Sequence, residues 1–165
     1  MAVLEIKKFN DKVLRKRCRK VKRVNKKIKK LIVDMAQTME KEGGLGLAAP
    51  QVGELKRVIV VRAAVKGKRI LGLINPKIKK KSREKEVNLE GCLSFPGIFL
   101  EIKRAREVVV EGLDYNGKKV RLKAKGLLAR VFQHEIDHLN GILFFNRLGF
   151  FKKIRFKLKY PKIKL

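Results

Sequence analysis

His134 and His138 are the only histidines in the chain, and they stand four residues apart in Gln133-His134-Glu135-Ile136-Asp137-His138. They work as a pair only on a helix, where residues four apart stack on one face and both rings reach one point. Gly126-Leu127-Leu128-Ala129 and Val131-Phe132 lead in, Leu139 follows, and Gly141 offers a C-terminal stop. Such flanks bury the helix, and a buried histidine pair needs polar or metal partners. The fold must therefore be built around a largely apolar helix with a polar stripe. Glu135, beside the first histidine, could take a proton from a metal-bound water, which makes this the H-E-x-x-H arrangement of hydrolytic metal sites. Five residues match so loose a pattern by chance too, as two surface histidines would; the apolar flanks favour the metal.

A hydrolytic metal usually keeps three protein ligands. The metzincin extension would need a third histidine at the position of Phe144, and no Asp or Glu follows Asp137 to act as a downstream ligand, so both zinc-protease layouts fail. Upstream, Glu90-Gly91-Cys92-Leu93-Ser94-Phe95-Pro96-Gly97 presents Cys92 in a loop-like, Gly- and Pro-rich stretch. A thiolate suits zinc or ferrous iron, although a lone cysteine is more often a small buried hydrophobe. Cys18, in Arg17-Cys18-Arg19, fits that plainer role.

Gly44-Leu45-Gly46-Leu47-Ala48-Ala49-Pro50-Gln51, Glu90-Gly91-Cys92-Leu93-Ser94 and the histidine motif occur in the order and approximate spacing of peptide deformylase, which the chain resembles from about Val13 to about Phe145. That family removes the N-formyl group from the initiator methionine of new bacterial polypeptides. The resemblance implies Cys92, His134 and His138 as metal ligands, Glu135 as acid/base, and Gln51 with the Leu93 N–H as oxyanion donors. It implies a methionine pocket at Gly44, Leu45, Gly46, Glu90, Gly91, Leu127 and Val131. It also implies one divalent ion, Fe2+ in the cell, with Zn2+, Ni2+ or Co2+ as substitutes, and a pairing of Asp137 with Arg104. Without it, Gln51 would read as a loop-capping residue and Asp137 as a solvated one. Gly44-x-Gly46 lacks the third glycine and preceding strand of a dinucleotide site, so nucleotide binding is rejected; glycines there let backbone run close to an extended substrate.

At 165 residues the chain supports one domain with a sizeable core. It has neither an apolar run long enough for a membrane span nor a secretory h-region. Two unlike cysteines argue against disulfides and for a reducing cytoplasm. The period predicts a helix over Asn25–Lys41, strands at Arg57–Ala63 and Ile70–Ile74, a hairpin of Glu107–Asp114 and Lys119–Ala124 about Asn116-Gly117, and the ligand helix from Gly126 to Leu139. The plan is α+β: short antiparallel or mixed sheets around a central metal-binding helix in a single catalytic domain, 1–165. Ile154–Tyr160 alternates Lys with apolar residues and suits strand or helix. Pro161 limits it, which sets the tail apart from the longer docking helix of many relatives.

Net charge is +29 and uneven: residues 1–30 carry 14 Lys/Arg against 2 acids, and residues 146–165 carry 8 against none. Basic ends favour a polyanion, and for an enzyme acting on formyl-methionyl nascent peptides that would be ribosomal RNA; a merely solvated lysine-rich surface is the alternative. No membrane partner is expected, and we expect a monomer. A nucleic-acid-binding protein with a structural metal is the competing class. It would need four ligands, and its aromatics should interleave with the basic runs, whereas these are mostly Phe in apolar contexts.

Overall fold

The computed structural model of the chain describes residues 2–63 and 70–163. Met1, residues 64–69 and residues 164–165 lie outside that range, so the two basic ends are described only in part. Asn25 caps α1 (Lys26–Lys41), its Oδ1 accepting the Ile28 N–H at 3.1 Å. Ile28, Ile32, Met35 and Met39 recur at helical spacing and are buried, each contributing roughly 2 kcal/mol of apolar transfer. Gly43, at φ +66°, ends the helix, and the Gly44 N–H closes onto the Met39 carbonyl at 2.8 Å.

Seven strands follow the apolar alternation: β1 (Gly46–Ala48), β2 (Val58–Arg62), β3 (Ile70–Lys81), β4 (Lys85–Cys92), β5 (Phe95–Ala105), β6 (Glu107–Leu113) and β7 (Lys119–Lys125). They form an antiparallel sheet in the order β1-β2-β3-β6-β7 and a separate β4–β5 hairpin. On β2, Val58 and Val60 pack with α1, while Ile59 and Val61 pack with α2 (Gly126–Leu139). Alternate residues of a strand point to opposite faces, so the two helices sandwich this sheet. The single-domain α+β plan is observed, and all strand pairs are antiparallel.

β3 runs well past the expected end at Ile74. Its ladder with β6 is interrupted between Ile74 and Lys77, where Asn75 adopts φ 53° and Pro76, with no N–H to give, sits in the irregularity. The Asn75 side chain exchanges two 2.9 Å hydrogen bonds with the Val21 backbone and so moors the N-terminal segment. That segment continues across the end of α2. The Cys18 N–H caps the Leu139 carbonyl at 2.9 Å, and the chain passes so close that a Cβ on Gly141 would lie 2.8 Å from the Arg15 carbonyl carbon.

A third apolar cluster, built on Phe95, Phe144, Phe145 and Phe156, supports the β4–β5 hairpin. The tail, open to strand or helix from its sequence, is the helix α3 (Phe150–Lys159), ended before Pro161. Phe156 stacks on Phe145 with ring centroids 5.1 Å apart, while Phe150 and Phe151 stay exposed. Among the described residues no helix is long and apolar enough to cross a membrane.

Candidate metal centre

β4 and α2 bring together what the sequence separates. Cys92 ends β4, and Leu93-Ser94 turn the chain into β5, so the stretch expected as loop is a tight hairpin. Cys92 Sγ lies 3.3 Å from His138 Nε2, which lies 3.2 Å from His134 Nε2. The three donor atoms sit within 4.8 Å of one another, and no other such His/Cys/Asp/Glu group occurs among the described residues. His134 Nδ1 faces Glu90 Oε2 at 3.1 Å, which leaves Nε2 to present its lone pair to the cluster.

Gln51 caps the turn at Ala48 and at the same time faces the cluster. Its Oε1 accepts the Ala48 N–H at 2.8 Å, which turns its amide nitrogen toward Cys92 Sγ at 3.4 Å and Ser94 Oγ at 3.2 Å. Glu135 is fully buried, and its Oε2 has no hydrogen-bond partner. Burial raises its pKa to about 7, against the lowering effect of His134. A buried carboxylate without a partner, beside one sulfur and two imidazole nitrogens, is a donor set that fits a divalent cation. Gly46 makes room for it: a Cβ there would stand 2.8 Å from both Cγ and Cδ of Glu135.

The carboxylates behind the three donor residues are pinned by arginines. Glu90 accepts from Arg104 at 2.8 and 3.0 Å and from Arg130 at 2.8 Å. Burial alone would raise its pKa, but the hydrogen bonds from His134 and Arg104 overcome that and bring it to about 2. Asp137, beside His138, is buried and pairs with Arg104 at 2.5 Å and Arg147 at 2.9 Å, so the pairing with Arg104 is present and the solvated alternative is not. Burial resists protonation of both histidines. His134 is nonetheless raised well above the usual value by Cys92 and Glu90, while His138 falls well below it. Neither Arg130 nor the ion-pair role of Glu90 was read from the sequence; a lone arginine inside an apolar helix stretch was the available signal.

A pocket of about 520 Å³ opens beside these groups. Gly44, Leu45, Gly46, Glu90, Gly91, Leu127 and Val131, the seven positions expected there, all line it, as do Leu93 and Gln51. Leu45 and Leu127 stand partly exposed at its rim. Leu89 and Phe99 also reach the rim and were missed, because the β4–β5 pairing that projects them was not foreseen.

Comparison with known proteins agrees with this arrangement. A family model described as polypeptide deformylase matches residues 3–153. A peptide deformylase of Thermodesulfovibrio yellowstonii is 46% identical over 162 residues, 97% of this chain and 98% of its own length. One from Halothermothrix orenii is 49% identical over 148 residues, 90% and 95% of the two chains. The solved peptide deformylase of Thermus thermophilus superposes with a TM-score of 0.91 at 41% identity, covering 97% and 94% of the two chains. That of Ehrlichia chaffeensis, in complex with actinonin, gives 0.88 at 42% over 100% of both.

Proposed function

We propose that this chain, which belongs to the polypeptide deformylase family, holds its metal ion on Cys92, His134 and His138. The chain is a metal-dependent hydrolase that removes the N-formyl group from nascent peptides. When bound, a divalent ion supplies Lewis acidity to the formyl carbonyl and to the attacking water. Glu135 takes the proton of that water and hands it to the departing methionine nitrogen, a role suited to a carboxylate whose pKa lies near 7. The Gln51 amide and the Leu93 N–H donate to the carbonyl oxygen as it gains charge; one such donor is typically worth ~3–4 kcal/mol of transition-state stabilisation. Glu90, through Nδ1, keeps His134 in the tautomer that ligates. The pocket between Gly44–Gly46, Gly91, Leu127 and Val131 takes the methionine side chain.

The observation that carries these assignments is the convergence of the three donor atoms beside the oriented Gln51 amide. A structural metal in a nucleic-acid-binding protein would want four protein ligands, and three gather here. Fe2+ is the proposed ion in the cell, with Zn2+, Ni2+ or Co2+ as substitutes. Residues 1–165 act as one catalytic unit, a cytoplasmic monomer whose basic ends, 1–30 and 146–165, contact ribosomal RNA. The test is Glu135→Gln purified without oxygen. It should keep the metal found in the parent protein and lose at least about a hundredfold in turnover of a short formyl-methionyl peptide. Near-normal turnover with full metal would remove Glu135 from the mechanism.

A further inference from the structure

A second cleft, of about 1120 Å³, shares no lining residue with the methionine pocket. It opens between the N-terminal segment, β3, the β6–β7 hairpin and the C-terminal end of α2. Ile136 and Asn140 line it from the helix face opposite Val131 and Glu135. Its rim is cationic. Arg17, Lys20, Lys77, Lys81 and Lys119 line it, and among the described residues none of them forms an ion pair. The two carboxylates of the cleft are already engaged, Glu111 by Arg121 and Lys79, Asp137 by Arg104 and Arg147. Arg57 lies half-buried in the wall and donates only to neutral acceptors, to Asn140 Oδ1 at 2.9 Å and to the Pro76 carbonyl at 3.1 Å.

We propose that this cleft binds the phosphodiester backbone of folded RNA. Unpaired cations around a concavity focus a positive potential into it. They come from three separate elements, the N-terminal segment, β3 and β7, around a cleft of about 1120 Å³, an arrangement that suits a chain of phosphates. No Phe or Tyr lines the cleft, so it lacks a platform for stacking bases and contacts the backbone without reading sequence. The surface is separate from α3. Of the basic N-terminal segment only Arg17, Cys18 and Lys20 take part, and nothing in it depends on the metal ligands.

The test is anisotropy of a labelled RNA hairpin with the full chain over a range of KCl concentrations. The triple variant Lys20→Gln, Lys77→Gln, Lys119→Gln removes three exposed, unpaired charges. It should weaken binding by at least about tenfold and lower the slope of log affinity against log salt by about 2 to 3. A charge-matched triple on α3, Arg155→Gln, Lys157→Gln, Lys159→Gln, should cost clearly less, no more than about threefold, the share of the proposed tail contact. Equal loss in both triples, or loss in the α3 triple alone, would overturn the cleft; the latter would leave the proposed contact through the tail standing. Displacement of the RNA by polyglutamate as readily as by unlabelled RNA would assign the cleft to an acidic protein instead. Photocrosslinking of thiouridine-substituted RNA to the unmutated chain needs no variant, and crosslinks lying wholly outside the cleft would refute the proposal. Hydrolysis of a short formyl peptide should be the same in both triples.

Discussion

Replacing Gly46 with Ala adds one methyl group against the proposed acid/base. The new Cβ would meet Cγ and Cδ of Glu135 at 2.8 Å, whereas carbon atoms in good contact stand ~3.5–4.0 Å apart. Something must give by about 1 Å. β1 is held against β2 through the Gly46–Val61 register, and α2 is buried on nearly every side, so the Glu135 side chain is the softest part. Pushing it toward an off-rotamer position costs only ~1 kcal/mol, so folding should survive. Catalysis is less forgiving, because a displacement of about 1 Å in a reacting group can cost a hundredfold. We expect kcat/KM for a formyl-methionyl tripeptide to fall ~100-fold, about 2.7 kcal/mol, with metal content unchanged and the melting temperature within a few degrees of the parent. If Gly46→Ala hydrolyses the peptide at the parental rate, Glu135 either has slack that its packing denies or does not handle the proton.

Cys92→Ala should lose the metal and the activity together, while Cys18→Ala, which removes a buried thiol from the sheet–α2 core, should keep both; metal analysis of the two proteins distinguishes them. Cys18 also sets a pH dependence: burial, opposed by Arg57, raises its pKa from 9.0 to about 11. Because the folded value is the higher one, its contribution is whole below pH 9 and fades as pH climbs through 11, by an amount on the order of 2 kcal/mol. Melting curves of the parent should therefore decline more steeply than those of Cys18→Ala over that interval; parallel curves would contradict the shift. Glu90→Gln leaves Arg104 and Arg130 buried without their shared carboxylate and should cost ~3–5 kcal/mol in chemical denaturation; a loss under 1 kcal/mol would mean that water reaches them.

Much of this molecule could be read from residue order because its strongest signals are local. Asn25 and Gly43 bracket a regular apolar period, and α1 follows; Gly126 and Gly141 bracket α2 in the same way. The β4–β5 hairpin was not legible. Its inward face carries Glu90 and Arg104, charges that fit a buried face only because they neutralise each other, while Leu89 and Phe99 point outward and break the usual alternation. For β3, the expected strand ended at Ile74, whereas Asn75-Pro76 is an irregularity within a longer strand, held by contacts with Val21 some fifty residues earlier. The three proposed ligand positions came from residue chemistry joined to a motif resemblance. Of the arginines behind them, Arg104 came only through the resemblance and Arg130 was hidden, since a charged residue betrays burial only through partners far away in the chain. The tail became a helix because Phe156 has Phe145 to stack on, a tertiary contact that alternation alone does not reveal.

The crossing of the N-terminal segment over the end of α2 has a consequence in time. The Cys18 N–H finds its acceptor at Leu139, and the backbone at Arg15 lies against Gly141. These partners are separated by about 120 residues, so at ~5–20 residues per second roughly 6 to 24 s of synthesis pass before this crossing has anything to close upon. Closing so long a loop is slow, and the entropy is lost before the contact returns anything. Until then the basic leading segment has only the partners that precede α2, Gln51, Leu55 and Asn75 among them, and both histidines belong to a helix still being made. An enzyme that trims other chains as they emerge thus closes this crossing of its own only after α2 has been made, its beginning waiting on its end.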